Sequence, residues 1–308
     1  MTALTRRQAL LTASASLFAG SSAWAQGDTP WRQERIVDCH HHLRADMASN
    51  VAHLDGAGMS QAMPLIQDDK GRDLFLALQA RYPGRFVGWK RGVNSMDPNG
   101  METLTKAVRD GALGFGEIKS KVAADSAENQ RMFALAGELN VPIMLHFEDT
   151  PITGTDGFNT GYKRFEAMLK RYPKTRFILH ATSVWANIDA ADTGATANPR
   201  GKVTPVGLTD RLLADYANAY IDLAAYSGFN GLSRDPEFTP PFLVRHQDKL
   251  IYGSDCTCAD GHGGGVTGPG AGQCLARQTL ALIYRVAPIA VFRKAAWENA
   301  ARLHGFKA

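Results

Sequence analysis

The sequence predicts an α/β protein built as one large (β/α)8 barrel, the TIM barrel. The 308-residue chain has 44% hydrophobic and 21% charged residues, which is typical of soluble globular proteins. Short apolar or β-branched runs alternate with longer helical patterns, as they do in parallel sheets. Eight such runs occur between Ile36 and Asp255 at intervals of roughly 31 residues, a spacing that suits a barrel of roughly 250 residues.

The eight runs and the helical patterns between them define the predicted elements. Strands are predicted at residues 35–40, 61–65, 86–93, 114–119, 142–146, 176–180, 219–223 and 250–254. Helical patterns lie at residues 71–81, 101–110, 126–139, 162–171 and 208–216. A doubly wound open sheet is the alternative architecture. It lacks support because no G-x-G-x-x-G follows a predicted strand and no G-x-x-x-x-G-K-[ST] occurs in the chain.

Residues 1–25 have the features of a secretory signal peptide. Arg6 and Arg7 precede an apolar stretch, and residues 23–25, A-W-A, form a small-x-small cleavage site. The run T-R-R-Q-A-L resembles a twin-arginine signal, which the export machinery reads as an address. Ser, Thr and Gly dilute the apolar stretch, so we expect no stable membrane span after cleavage; an uncleaved anchor is the alternative. We expect twin-arginine export, a periplasmic location and one mature domain over residues 26–308.

The charge of the chain argues against nucleic acid as a partner. Lys and Arg number 34 and Asp and Glu 30, which gives a formal net charge of +4 without any block of like charges. A small-molecule substrate is therefore the expected partner. The sequence predicts no oligomeric state.

The first strand ends in a cluster of histidines, I-V-D-C-H-H-H. Residues two apart share a face of a strand, so His40 and His42 should point the same way, with Asp38 below them. Cys39 and His41 should face the other side. Neutral imidazoles bind Zn, Fe, Ni and similar ions, and Asp38 could fix a tautomer by accepting a ring N–H.

Three further strands end in a polar residue after an apolar run. I-M-L-H ends at His146, F-I-L-H ends at His180, and L-I-Y-G-S-D ends at Asp255. Because the carboxyl ends of barrel strands open on one rim, these side chains should meet the His40 and His42 pair there. The pattern predicts a metal site at that rim.

These segments resemble the amidohydrolase superfamily, and more narrowly its amidohydrolase-related branch of hydrolases and metal-dependent decarboxylases. The similarity spans nearly all of the mature chain through V-D-C-H-H-H, G-A-L-G-F-G-E-I-K, V-P-I-M-L-H, R-F-E-A-M-L-K-R-Y-P-K-T-R-F-I-L-H, Y-I-D-L, L-I-Y-G-S-D-C and W-E-N-A-A-R-L-H-G-F. It implies a divalent metal, Zn above all, and it assigns as ligands His40, His42, His146 and Asp255. It implies that His180 is a further ligand or an acid/base group.

The same resemblance implies a hydrolytic mechanism. The ion lowers the pKa of a bound water toward about 7, and that water becomes the nucleophile. Asp255 is the candidate general base that deprotonates the water and returns the proton to the leaving group. His180 polarises the carbonyl oxygen or orients the water.

The fourth strand leaves the number of ions open. Glu117 and Lys119 lie on one face, and related barrels use a bridging carboxylate or carboxylated lysine here to hold a second metal. One ion is favoured, and two remain possible. A metal-free site, as in some lactonases of this branch, would leave His40, His42 and Asp255 as polar catalytic groups.

Four residues are candidates for substrate binding. Arg44 and Lys119 could bind a substrate carboxylate, Arg44 through a bidentate fork. Trp185 and Tyr226 could line the pocket. Two segments, residues 183–207 and the Gly-rich residues 261–272, are lid candidates. Asp222 and Asn299 are interpreted as structural.

Four cysteines follow the cleavage site. In an oxidising compartment Cys258 and Cys274 could form a disulfide that closes the Gly-rich loop. A metal site formed by Cys256, Cys258 and His262 is the rival interpretation. The histidines treated as surface or packing residues are His53, His246 and His304.

Three functions compete. The first is a metal-dependent hydrolase of a C–N, ester or lactone bond in a small, acidic organic substrate. The second is a metal-dependent non-oxidative decarboxylase on the same barrel. The third is a non-catalytic periplasmic protein that binds a metal or ligand.

Overall fold

Eight parallel strands form one sheet in the computed structural model, which describes residues 29–149 and 157–306. The strands are β1 Val37–His42, β2 Gln61–Ile66, β3 Lys90–Arg91, β4 Phe115–Ile118, β5 Ile143–His146, β6 Phe177–His180, β7 Ala219–Asp222 and β8 Leu250–Ile251. They pair in chain order from β1 to β8. The Cys39 N–H donates to the Tyr252 carbonyl at 3.1 Å and the Asp255 N–H to the His40 carbonyl at 2.9 Å. These bonds nearly close the sheet, so the predicted (β/α)8 barrel is confirmed.

Helices connect the strands. They are α1 Met47–Ala57, α2 Asp69–Arg81, α3 Gly100–Arg109, α4 Ala127–Glu138, α5 Glu166–Arg171, α6 Thr182–Ala186, α7 Leu208–Asp215, α8 Ala225–Ser233, α9 Thr239–Arg245, α10 Leu275–Val286, α11 Ile289–Arg293 and α12 Asn299–His304. Four predicted helices agree to within about two residues, whereas predicted 162–171 is a 3₁₀ turn, Tyr162–Arg164, followed by α5. The predicted strand 86–93 shortens to β3, which lies between Gly88 and Gly92, because glycine weakens strand pairing.

Helix α1 shows how local sequence fixes an element beside the site. The Asp46 carboxylate caps its first turn by accepting from the N–H groups of Ala48 and Ser49. Its last turn ends at Gly58, whose φ of 73° is a left-handed conformation that glycine adopts without strain. The helix therefore has a fixed length, and it buries Asn50 and His53.

The core has two parts. A small cluster inside the barrel contains Val37, Cys39, Met63, Met144, Ile178 and Ile251, together with Ala300 and Leu303 of α12. The larger cluster lies between the outer faces of the strands and the helices. Because strand residues alternate between faces, His146 and His180, which lie two residues beyond Met144 and Ile178, also face the barrel interior.

The predicted signal peptide, residues 1–25, lies outside the described residues. The described residues from Trp31 onward cluster as one compact unit. Within the described part of the chain, no helix combines the length and apolar character needed to cross a membrane.

Candidate active site

A register shift in β1 turns His40 and His42 toward the inside of the barrel. The pairing of β1 with β2 is irregular between Asp38 and His41. Strict alternation from Val37 and Cys39, which lie in the inner cluster, would turn His40 outward; the irregularity lets His40 and His42 face inward instead.

Asp38 lies at the ring of His41 and not at the rings of His40 and His42, which it was expected to orient. Its carboxylate accepts hydrogen bonds from the Ser254 N–H at 2.7 Å and the Ser254 hydroxyl at 2.6 Å, and it lies 3.3 Å from His41 Nδ1. Asp38 makes these contacts away from the rings of His40 and His42. It ties β1 to the segment after β8, which carries Asp255.

Two histidines and Asp255 come together as a ligand set. The Oδ1 atom of Asp255 lies 3.2 Å from His42 Nε2 and 3.8 Å from His40 Nε2. Ligands bound at about 2.1 Å to one ion lie roughly 3.0 to 3.4 Å apart. His40 Nε2 is buried and has no hydrogen-bond partner among the described residues. The 3.2 Å contact lies in this range and the 3.8 Å contact lies beyond it; together with the unpaired nitrogen of His40, the three side chains offer donor atoms for a divalent metal.

Glu117 lies between this set and the other two histidines. Its Oε2 atom is 3.7 Å from His40 Nε2 and 3.9 Å from His42 Nε2. Its Oε1 atom is 2.5 Å from His146 Nδ1 and 3.3 Å from His180 Nε2. The carboxylate is buried, and it can contact an ion on either side.

Gly116 allows β4 to bring Glu117 to this position. Its φ is +132°, and a Cβ built there would lie 2.8 Å from the Met144 Cβ atom on β5. A larger residue would push β4 away from β5, so the glycine is needed for the close approach.

Two carboxylates that the sequence analysis missed contact the histidines. Asp222, interpreted above as structural, places Oδ2 2.6 Å from His40 Nδ1 and 3.1 Å from His180 Nδ1. Glu148 places Oε2 3.1 Å from His146 Nε2. A carboxylate on the far ring nitrogen fixes the tautomer of a ligating histidine. The clue for Asp222 was present, since it ends the apolar strand β7 just as His146 ends β5.

The carboxylates determine the charges of these groups in the metal-free protein. Burial opposes the imidazolium of His40, but Asp255 and Asp222 raise its pKa well above the usual value. Burial likewise opposes the carboxylate of Glu117, yet the hydrogen bond from His146 and the nearby charge of His40 hold its pKa well below the usual value. Burial and the charge of His40 lower the pKa of His180. His180 is therefore neutral at pH 7, a form that can bind a metal or accept a proton.

Asp255 connects this cluster to a cavity. Its φ of 46° is a left-handed conformation that is uncommon for a residue other than glycine and is often found at functional sites. It lines a cavity of about 660 Å³, whose other lining residues include Tyr226, Phe229, Val266 and Gln273. Tyr226, a predicted substrate-binding residue, lines the same cavity as Asp255.

The other predicted substrate contacts lie in different places. Lys119 Nζ is 3.0 Å from Glu117 Oε2 and is partly exposed at the site. Arg44 instead donates to the backbone carbonyls of Cys256 at 2.8 Å and Cys258 at 2.7 Å. Its guanidinium is therefore bonded to the backbone in place of a substrate carboxylate. Trp185 is buried in the core and donates to the Asp222 carbonyl at 3.1 Å. Trp185 therefore supports β7 and does not line the cavity.

The structure also shows where the two predicted lid segments and the four cysteines lie. Val266, Thr267 and Gly270 of segment 261–272 line the cavity, whereas segment 183–207 begins with the buried residues of α6. All four cysteines are free, so the expected disulfide between Cys258 and Cys274 is absent. His262 is exposed and lies 3.2 Å from Arg277, away from the cysteines; the rival site with His262 is wrong.

Comparisons with known proteins agree with the barrel. A probable 2-pyrone-4,6-dicarboxylic acid hydrolase from Acinetobacter baumannii, with citric acid bound, is 14% identical with a TM-score of 0.53, over 88% of this chain and 100% of that one. A 2,6-dihydroxybenzoate decarboxylase from Rhizobium is 13% identical with a TM-score of 0.52, over 89% of this chain and 99% of that one. A structure described as amidohydrolase II is 15% identical with a TM-score of 0.56, over 89% of this chain and 100% of that one. At such identities the likeness shows the fold alone.

The family is shown by the sequence profile. No curated protein matches the chain. A family profile described as Amidohydrolase matches residues 37–306, from β1 to beyond α12. Because the match spans the whole barrel, the chain belongs to the amidohydrolase family of enzymes.

Proposed function

We propose that this protein is a metal-dependent hydrolase of an ester, lactone or C–N bond in a small acidic molecule. One observation carries the proposal: Asp255 lies within 4 Å of the Nε2 atoms of both His40 and His42 at the carboxyl end of the barrel, and it also lines the cavity. The candidate metal ligands are therefore reached directly from the cavity.

The residues that would hold the proposed ion, Zn²⁺ above all, are His40, His42, Asp255 and Glu117. When bound, a divalent ion supplies Lewis acidity, which polarises a substrate oxygen and makes water more acidic. One ion is favoured. A second ion is the alternative because the other oxygen of Glu117 faces His146 and His180.

Asp255, His180 and Asp222 would carry out proton transfer and hold the reacting groups in place. Asp255 takes a proton from the attacking water and returns it to the leaving group, because its carboxylate lies at the boundary between histidines and cavity. Neutral His180 faces Asp222 with Nδ1, which leaves Nε2, 4.0 Å from Asp255 Oδ2, to accept a hydrogen bond from the attacking water and orient it. Asp222 holds the ring of His40 in place through Nδ1.

Lys119 supports the assignment of an acidic substrate. Although burial opposes its charge, the Glu117 carboxylate raises the pKa of Lys119, so the ammonium is charged at neutral pH. Its side chain is 41% exposed, which leaves donors for a substrate carboxylate. Residues 1–25 support the further proposal of twin-arginine export to the periplasm, where a small molecule would be the substrate.

A non-oxidative decarboxylase is the second candidate. Tyr226 and Phe229 line the cavity with ring centroids 6.5 Å apart, a surface that suits an aromatic acid. The same ion would then hold the carboxylated substrate.

Product analysis with the Asp255→Asn variant tests the proposal. The metal-loaded protein is assayed against small esters, lactones, amides and aromatic acids, with acid release and carbon dioxide release followed separately. We expect acid release, and a loss of about 10² to 10⁴-fold in Asp255→Asn, since general acid/base catalysis contributes that much and asparagine tolerates the left-handed backbone.

Asp73→Asn is the matched control, because Asp73 is an exposed carboxylate on α2. Its activity should equal that of the parent. Carbon dioxide release without acid release would establish the second candidate. Ligand binding without any turnover would overturn both and indicate a non-catalytic binding protein.

A further inference from the structure

Three cysteines and a histidine meet in a buried pocket beneath the Gly-rich loop. Cys256 and Cys258 follow Asp255, Cys274 immediately precedes α10, and His53 lies on α1. All four side chains are buried, with residue exposures of 5% or less. One ligand atom from each lies within 4.8 Å of all the others.

Three of the distances between these atoms are close to the edge lengths of a tetrahedral zinc site. Cys256 Sγ lies 3.5 Å from Cys258 Sγ and 3.8 Å from Cys274 Sγ, and Cys258 Sγ lies 3.3 Å from His53 Nδ1. Around a zinc ion with Zn–S bonds of about 2.3 Å, sulfur–sulfur edges are about 3.8 Å and sulfur–nitrogen edges about 3.5 Å. A disulfide needs about 2.05 Å, and all four cysteines are free.

Hydrogen-bond donors surround the cysteines. The N–H groups of Ala276 and Gly263 donate to the sulfurs of Cys256 and Cys258. The Arg44 guanidinium donates to the carbonyls of these two cysteines. Three thiolates, one neutral imidazole and a divalent ion carry a net charge of −1, which the adjacent guanidinium offsets.

We propose that Cys256, Cys258, Cys274 and His53 bind a structural zinc ion, distinct from the barrel site. Soft thiolates with one imidazole in a closed tetrahedron select Zn²⁺, and binding releases the thiol protons to solvent. With all four ligands supplied by the protein, no position remains for substrate.

The position of the cluster explains what the ion does. Segment 261–272 contains seven glycines in twelve residues and lines the cavity. Glycine loses more backbone entropy on folding than any other residue, so this wall has little order of its own. The ion fastens both ends of the loop to α1 and fixes the residue that follows Asp255. It thereby shapes the substrate cavity.

Zinc analysis of the purified full chain tests the inference without reference to activity. Zinc per chain is compared among the parent, a Cys258→Ser/Cys274→Ser variant, His42→Ala and His262→Ala. We expect the double serine variant to lose one zinc and His42→Ala to keep that zinc while it loses the barrel metal. His262→Ala is the matched control and should keep both.

Measurements on the parent protein avoid dependence on the folding of a variant. Titration with an organic mercurial should release one zinc as three thiols react. Cobalt substitution should give thiolate-to-cobalt charge-transfer absorption that persists in His42→Ala. A disulfide between any two of the three cysteines, found by mass spectrometry, would overturn the inference. So would free cysteines in a protein whose zinc is lost entirely in His42→Ala.

Discussion

Asp222 is the residue that orders the histidines at the base of the site. Its Oδ2 atom lies 2.6 Å from Nδ1 of His40 and 3.1 Å from Nδ1 of His180, so one carboxylate contacts two rings. The other ring nitrogen, Nε2, is then left to bind the metal. The Trp185 indole supports the backbone of Asp222 from below.

Replacing Asp222 by asparagine should weaken metal binding. The change keeps the shape of the side chain but removes the negative charge that orients His40. Partners of this kind contribute about 10 to 100-fold to metal affinity, and we expect a loss in that range. Competition with a chromophoric chelator measures it, with Asp73→Asn as control. Equal affinities in the two variants would show that Asp222 does not act through the histidines.

The close approach of the chain after β8 to β1 and β7 depends on a glycine. A Cβ built on Gly253 would lie 2.5 Å from the His40 Cβ atom and 2.6 Å from Asp222 Oδ1. Cβ atoms do not approach other atoms this closely, so any side chain must displace a group of the site.

Gly253→Ala should therefore damage stability and the site together. We expect a loss of about 1 to 3 kcal/mol in the free energy of unfolding, as for other overpacked interiors, with weaker metal binding because His40 and Asp222 move. Urea unfolding and metal competition measure the two effects. Gly100→Ala is the control, since its Cβ would lie 3.5 Å or more from its neighbours. Normal metal affinity in Gly253→Ala would contradict this account.

For the whole molecule, stability in acid should depend on a carboxylate far from the site. Asp210 on α7 accepts hydrogen bonds from Arg245 Nη2 at 2.7 Å and lies 2.6 Å from His246 Nε2, which joins α7 to the end of α9. Burial alone would raise the pKa of Asp210, but His246 and Arg245 hold it below the usual value.

A depressed pKa in the folded protein stabilises it at pH values above the unfolded pKa, about 3.9. This stabilisation is lost as the pH falls through the folded value. We expect Asp210→Asn to cost about 1 to 3 kcal/mol at pH 7, and the difference from the parent to shrink below about pH 4. Urea unfolding at several pH values measures it. If the stability difference between the parent and Asp210→Asn stayed constant or grew in acid, the pKa of Asp210 would not be lowered in the folded protein.

Much of the fold could be predicted from the sequence because its signals are local. Apolar runs of strand length and helical periodicity repeat along the chain, and all eight predicted strands are present. The histidines at the ends of β1, β5 and β6 were also visible, since a polar residue that closes an apolar run marks the barrel rim. Lys90–Arg91 is shorter than predicted because strand pairing depends on neighbours as well as composition.

The sequence by itself determined the barrel, the family and the identity of the candidate ligands His40, His42, His146, His180 and Asp255. Only the tertiary structure decided which groups face them. The irregular register in β1 separates Asp38 from the metal position, and β7 supplies Asp222 instead. Likewise His53, and not His262, reaches the cysteines, although it lies 203 positions before Cys256 in the sequence. Sequence periodicity placed the strand ends on one rim, but the pairing of individual side chains from distant segments depends on strand register and helix packing, which periodicity does not specify.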